Sequence, residues 1–243
     1  MKIIFSPSKS QSIIKSVDYN MTEVLFPQKT QFLFEILQKL TRQELQKLFK
    51  LSDSLTEQVF EYYHNSQAEI SAIELFSGTS FVQMDSWYDK KYQEYMQSHI
   101  VILSALHGLL RPFDAICPYR LDLSDNILLH DDRHKNLYHY WQKKISEYFN
   151  NEDTVLNLAS LEYKKMLPIE LQDCIINIHF MNEIKGIQKT SSVESKKQRG
   201  KLLHYCILNN TTDILLLKKY SCDGFTFDSR KSTKHNYYYI CKK

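Results

Sequence analysis

The sequence predicts an α/β protein, with α+β as the alternative, built as one mixed β-sheet flanked by helices. Three observations carry this. Short β-branched runs recur along the whole chain, and amphipathic helical patterns fill the stretches between them. The third is bulk: 243 residues, 43% hydrophobic and 24% charged, suffice to bury one full core. With no repeat, no low-complexity tract and no Gly-, Pro- or Ser-rich linker, residues 1–243 read as a single domain.

In chain order, "KIIF" (2–5) is the first strand expected, followed by helical patterns in "QFLFEILQKL" (31–40) and across 41–64. Thr41 and Glu44 are spaced as a capping box, and the Ser52-Asp53-Ser54 triplet divides that second region into two helices. "HIVILSAL" (99–106) and "TVLNLA" (154–159) are strands, with a strong amphipathic helix at 135–150 between them. "CIINIHF" (174–180) and "YYYIC" (237–241) are further strands, and a helix over 195–210 begins on a basic turn.

The five cysteines are odd in number, far apart and never in a CxxC spacing, which suggests neither a disulfide framework nor a zinc ribbon and fits a reducing cytoplasm. No window approaches a membrane span, and "MKIIFSPSKSQ" is too short in apolar residues for a signal peptide core. A formal net charge of +3 permits phosphate or nucleic-acid ligands without demanding them. His130, His134 and His139 lie near Asp131 and Asp132, but the spacing is not a zincin motif, so neither a metal nor a cofactor is expected.

Four segments carry polar groups where strands end or a helix begins. "FSPSK" places Ser6 and Lys9 just past the first strand, the edge at which open α/β sheets bind ligands. "LSALHGLLRPFDAICPYRLDL" (103–123) gathers a glycine, two prolines and two arginines in a chain with only five of each of those first two types. Gly108, Pro112 and Pro118 are read as a stiff loop that presents Arg111, Tyr119 and Arg120. A planar guanidinium there suits a phosphate or a carboxylate; pairing with Asp114 or Asp122 inside the loop is the alternative. "NLASLEY" (157–163) offers Asn157, Ser160 and Tyr163, with Ser160 as a helix N-cap. "KKQRGK" (196–201) packs Lys196, Lys197 and Arg199 at a helix start, where cations oppose the helix dipole unless a polyanion relieves them. Cys117, beside Pro118, is either a thiol activated by the arginines or a buried inert one.

Taken with "LYHYW" and "GFTFD", these motifs occur in an order and spacing that resemble the YaaA family, also described as DUF328 or UPF0246. The resemblance covers nearly the whole chain, and its most specific part is the Gly-x-Leu-Arg-Pro followed by Pro-Tyr-Arg. It implies a YaaA-like α/β fold and a bacterial cytoplasmic protein of hydrogen peroxide stress that limits free iron and DNA damage. It also implies a basic cleft and a helix-hairpin-helix-like element for DNA. Residues 41–64, where such a hairpin would lie, contain no glycine, Thr79 follows Gly78 where the family carries an acid, and Gln198 stands where a small residue is usual.

Two functions follow as expectations. One is DNA binding through a cleft lined by Ser6, Lys9, Arg111, Tyr119, Arg120, Asn157, Ser160, Tyr163, Lys196, Lys197 and Arg199, with tyrosines for unpaired bases. The other is an enzyme acting on a nucleotide, a nucleobase or a damaged base in DNA, with Lys9 as nucleophile or acid if desolvated. No triad, metal cluster or carboxylate pair designates catalytic residues, and the sequence does not give an oligomeric state.

Overall fold

A computed structural model describes residues 1–12, 20–65, 67–84, 89–128 and 133–242. Its centre is a run of parallel strands made of the β-branched segments. β1 (Lys2–Phe5) lies between β3 (Ile100–Ser104) and β6 (Val155–Asn157), pairing in parallel with both. β6 pairs in parallel with β7 (Ile175–Ile184), and β7 with β11 (Asn236–Lys242). Every residue of β3 is buried, as expected of a strand covered on both faces.

Antiparallel strands extend this centre. β4 (Gly108–Leu110) pairs with β3, and β10 (Phe225–Phe227) joins β11 to β9 (Ser221–Cys222). The order is β4-β3-β1-β6-β7-β11-β10-β9, with β8 (Ile187–Lys189) paired to β7. A separate two-stranded ladder joins β2 (Ile70–Ser71) to β5 (Ala115–Ile116). The mixed α/β sheet expected from the sequence is thus present.

α1 (Pro27–Gln38) starts earlier than its apolar stripe suggests because Pro27 occupies the first turn, where its fixed φ suits the helix and its missing N–H costs nothing. α2 (Arg42–Phe49) opens on the Thr41/Glu44 capping box, both halves of which form. Lys50 then takes the left-handed conformation (φ 52°) that a glycine more often supplies at a helix end, and α3 (Asp53–His64) follows from Ser52. After the single turn α4 (Ala72–Leu75), α5 (Lys90–His99) runs straight into β3, so His99 closes a helix rather than opening a strand. α6 (Leu137–Phe149) buries Leu137, Tyr140, Trp141, Ile145 and Phe149, and α7 (Leu161–Lys164) is one turn. α8 (Ser192–Leu208) buries Leu202, Leu203, Cys206 and Ile207.

α8 corrects one expectation. Its N-cap is Ser191, with Glu194 in the first turn, so the basic run begins in the second turn and does not oppose the dipole at the helix end.

Candidate cleft at the carboxyl edge of the parallel strands

The chain leaves β1 toward β3 and leaves β6 toward β7, so neighbouring strands send their loops to opposite halves of the sheet. That arrangement opens a crevice at their carboxyl ends. A cleft of about 350 Å³ lies there, formed by five distant segments: residues 5–11, 78–81, 119–122, part of 158–163, and Lys196 with Arg199.

The loop after β5 is fixed from three directions. Gln11 clamps the backbone of Tyr119, donating from Nε2 to its carbonyl (2.9 Å) and accepting from its N–H (3.1 Å). On the other side Tyr63 of α3 accepts from Arg120 N–H (2.9 Å) and donates to Arg120 C=O. The Tyr119 hydroxyl is bonded to Ser104 Oγ (2.8 Å). Burial pushes both phenols up, so they serve as neutral hydrogen-bonding struts. Neither Gln11 nor Tyr63 carries a sequence signal that marks it as part of a site.

Arg120 therefore reaches the cleft from a rigid backbone. Its Nη2 lies 3.8 Å from Asp122, and its buried Nε has no acceptor among the described residues. Lys9 also meets Asp122 (2.5 Å) while remaining 63% exposed, so it is not the desolvated amine that nucleophilic chemistry would need. Ser6 and Ser160 join two strand ends, Ser160 N–H donating to Ser6 Oγ (2.8 Å). Ser160 is the N-cap of α7, accepting from Tyr163 N–H (3.4 Å), and Tyr163 lines the cleft above it.

From α8, Lys196 and Arg199 project into the cleft, one helical turn apart. Arg199 has no acidic partner among the described residues; its Nε is buried without an acceptor, and burial pulls its guanidinium below the ordinary arginine range. Gly200 makes this placement possible: a Cβ there would stand 2.1 Å from the carbonyl oxygen of Ser80, while Ser80 Oγ donates to Lys196 C=O (2.9 Å).

Three residues expected in the cleft lie elsewhere. Arg111 is folded back onto Asp114, which it meets through its own N–H (2.8 Å), Nε (2.9 Å) and Nη2 (2.8 Å), and it also donates to Glu23 C=O. The residue pair is a turn fastener, because a bend at 111–114 returns the carboxylate to the arginine that precedes it. Asn157 is buried at the end of β6, donating to Asn177 (2.9 Å) and accepting from Ala159 N–H. Lys197 points to the opposite side of α8, where it and Lys201 hold Asp223. Lys201, then Gln198 and Lys197, depress the Asp223 carboxyl well below the usual range; buried Gln198 thus has a bonding role where the family carries a small residue.

The loop residues do what stiffness requires, but Gly108 answers to packing. Its φ is +72°, and a Cβ would stand 2.5 Å from the Trp141 ring. Pro112 and Pro118 are buried, and Pro112 C=O accepts from Ile73 N–H. Cys117 is the inert alternative: burial raises its thiol and its Sγ faces Gln67 C=O. Of the histidine cluster, His130, Asp131 and Asp132 lie outside the described residues; among the described residues no group of three potential metal ligands occurs.

Buried His107 packs edge-on to Tyr119, and burial drops its pKa to about 3. Its folded value lies below the unfolded 6.5, so the unfolded chain binds the extra proton first. Stability should fall by up to about 1.4 kcal/mol per pH unit as pH drops from 6.5 towards 3. Urea titrations of His107→Gln should show a shallower acid dependence; an unchanged slope would remove His107 as the cause.

No helix among the described residues is long and apolar enough to cross a membrane. The family described as Peroxide stress protein YaaA matches residues 1–231. A UPF0246 protein of Finegoldia magna is 34% identical over 99% of this chain and 98% of its own length. Another, from Fusobacterium nucleatum, is 32% identical over 100% and 99%, and one from Crocosphaera subtropica is 33% identical over 90% and 91%. Matches of this extent, over a chain that carries the motifs in the same order, show that it belongs to the YaaA family of peroxide stress proteins.

Proposed function

We propose that this protein binds DNA in the bacterial cytoplasm through the cleft and so limits peroxide- and iron-dependent damage. The observation that carries the reading is Arg199, a partly desolvated guanidinium without an acidic partner among the described residues, lining the same cleft as Arg120, whose Nε also lacks an acceptor among them. Leaving a guanidinium unpaired is costly, and two oxygens of a tetrahedral phosphate can accept from its planar fork in a bidentate pair. The lining holds four cationic side chains, Lys9, Arg120, Lys196 and Arg199, against the carboxylates of Asp122 and Glu162. The local field is therefore positive although the whole chain carries only +3.

Fluorescence anisotropy with single-stranded, duplex and mismatched DNA across a salt series tests this. Wild-type affinity should fall steeply with salt, and Arg120→Ala with Arg199→Ala should weaken binding and flatten the log–log slope by about two. Salt-independent binding, or none, by the wild type would remove the DNA reading.

The cleft's size favours a second reading. A volume of about 350 Å³ lies within the range of small-ligand pockets, and Phe5, Phe81, Tyr119 and Tyr163 give it an aromatic lining. A free nucleotide or a nucleobase, or a base turned out of DNA, fits that description, and an enzyme acting on one would bind it here. Thermal stabilisation by nucleotides without any DNA affinity would favour it.

A further inference from the structure

The β7–β8 hairpin stands over the cleft's edge of the sheet. β11 pairs with β7 along Asn177–Glu183, which occupies one edge of that strand. β6 pairs with β7 only through Ile175–Asn177, and β8 through Asn182–Ile184, so β8 takes the other edge, in line with β6 and beyond its carboxyl end. At ~3.3 Å per residue, the hairpin tip reaches roughly 23 Å past the level where β6 stops. From the tip, β8 runs back and leads into α8, the helix that supplies Lys196 and Arg199 to the cleft.

The tip has an uncommon composition for a solvent-facing turn. Ile184 and Ile187 are direct cross-strand partners, so they share one face, and they are 48% and 61% exposed. Between them Lys185 and Gly186 both have positive φ (50° and 77°), the geometry of a tight two-residue turn matched to strand twist. Lys185 and Lys189 are exposed without an acidic partner among the described residues, whereas Glu183, two residues before Lys185, accepts from Gln188 Nε2. Val193, in the first turn of α8, is 69% exposed as well.

We propose that this tip is a wedge that enters the base stack of DNA held in the cleft, with Ile184 and Ile187 against the bases and Lys185 and Lys189 on the flanking phosphates. Exposed aliphatic side chains that part a base step, backed by cations, are how several DNA-bending proteins distort a duplex. Charge favours this occupant over another protein surface of ordinary composition, and so does continuity: the hairpin leads directly into α8, the helix whose Lys196 and Arg199 line the cleft. The inference rests on the DNA reading of the cleft.

Duplex DNA with 2-aminopurine at its central step tests it, because that base brightens when unstacked. Anisotropy measured on the same samples reports binding separately, and sedimentation reports association of the protein. The variant is Ile184→Ser with Ile187→Ser, two exposed positions whose change leaves the core untouched. Wild-type binding should raise the fluorescence severalfold; the variant should bind more weakly, with the same salt slope and no brightening. Equal brightening by both proteins overturns the wedge and leaves DNA binding standing. Wild-type binding without brightening does the same. Absence of wild-type binding overturns both readings, and a wild-type dimer that the variant converts to monomer assigns the isoleucines to a self-interface instead.

Discussion

Arg111→Ala should lower the unfolding free energy by about 3 kcal/mol, the lower end of the cost of breaking a buried ion pair. Asp114 is 0% exposed, and the arginine supplies three of the donors around it; Thr22 Oγ1 (2.7 Å) supplies another. Truncating the guanidinium leaves the carboxylate buried with its charge uncompensated. Urea titrations would measure the loss, and DNA affinity measured where the variant is still folded should match the wild type. A variant as stable as the wild type, or a folded one that no longer binds, would contradict the assignment of Arg111 as a turn fastener. Arg120→Ala is the comparison: its backbone stays anchored by Tyr63, so binding should drop with little change in stability.

Gly108→Ala should destabilise by about 2–4 kcal/mol, combining a strained left-handed alanine with overpacking. The methyl group would meet Trp141, a side chain with no exposed surface whose indole N–H donates to Ala105 C=O (2.8 Å). The ring cannot retreat without losing that bond. A thermal midpoint several degrees below wild type is expected, with altered tryptophan fluorescence. An unchanged midpoint would mean that the corner between β3 and β4 relaxes more readily than its packing suggests.

Much of the fold was legible because its central strands are buried on both faces and so read as unbroken β-branched runs. β1, β3 and β6 appear in that form, whereas β7 and β11 are only partly buried and showed as β-branched or aromatic segments. β2, β4, β5, β8, β9 and β10 did not, Gly108 of the expected loop lying in β4, since two or three residues become a strand only through a partner that is distant in sequence or set by a turn. α5 was missed because "KKYQEYMQSH" buries only Tyr95 and Met96, too few apolar positions to show a stripe.

The site divided along similar lines. The segments were recognisable, but which arginine is spent on which carboxylate depends on turn geometry. Arg111 and Asp114 are three apart across a bend, whereas Arg120 and Asp122 lie in extended chain and meet only loosely. In "KKQRGK" helical periodicity held more information than the composition did. Lys196 and Arg199 share one face and Lys197 and Lys201 the other, so a wheel divides the run between cleft and Asp223.

The cleft's construction from five segments spread between residues 5 and 199 has a consequence for how the molecule opens. No single hairpin or helix pair contains it, so no fragment of the chain retains it. The cleft comes into being only with the slow, long-range pairings of the parallel strands. A ligand seated there bridges all five, and its binding energy opposes only motions that separate them. Hydrogen exchange should therefore slow chiefly at the amides that open in global unfolding, while the frayed surface continues to exchange as before.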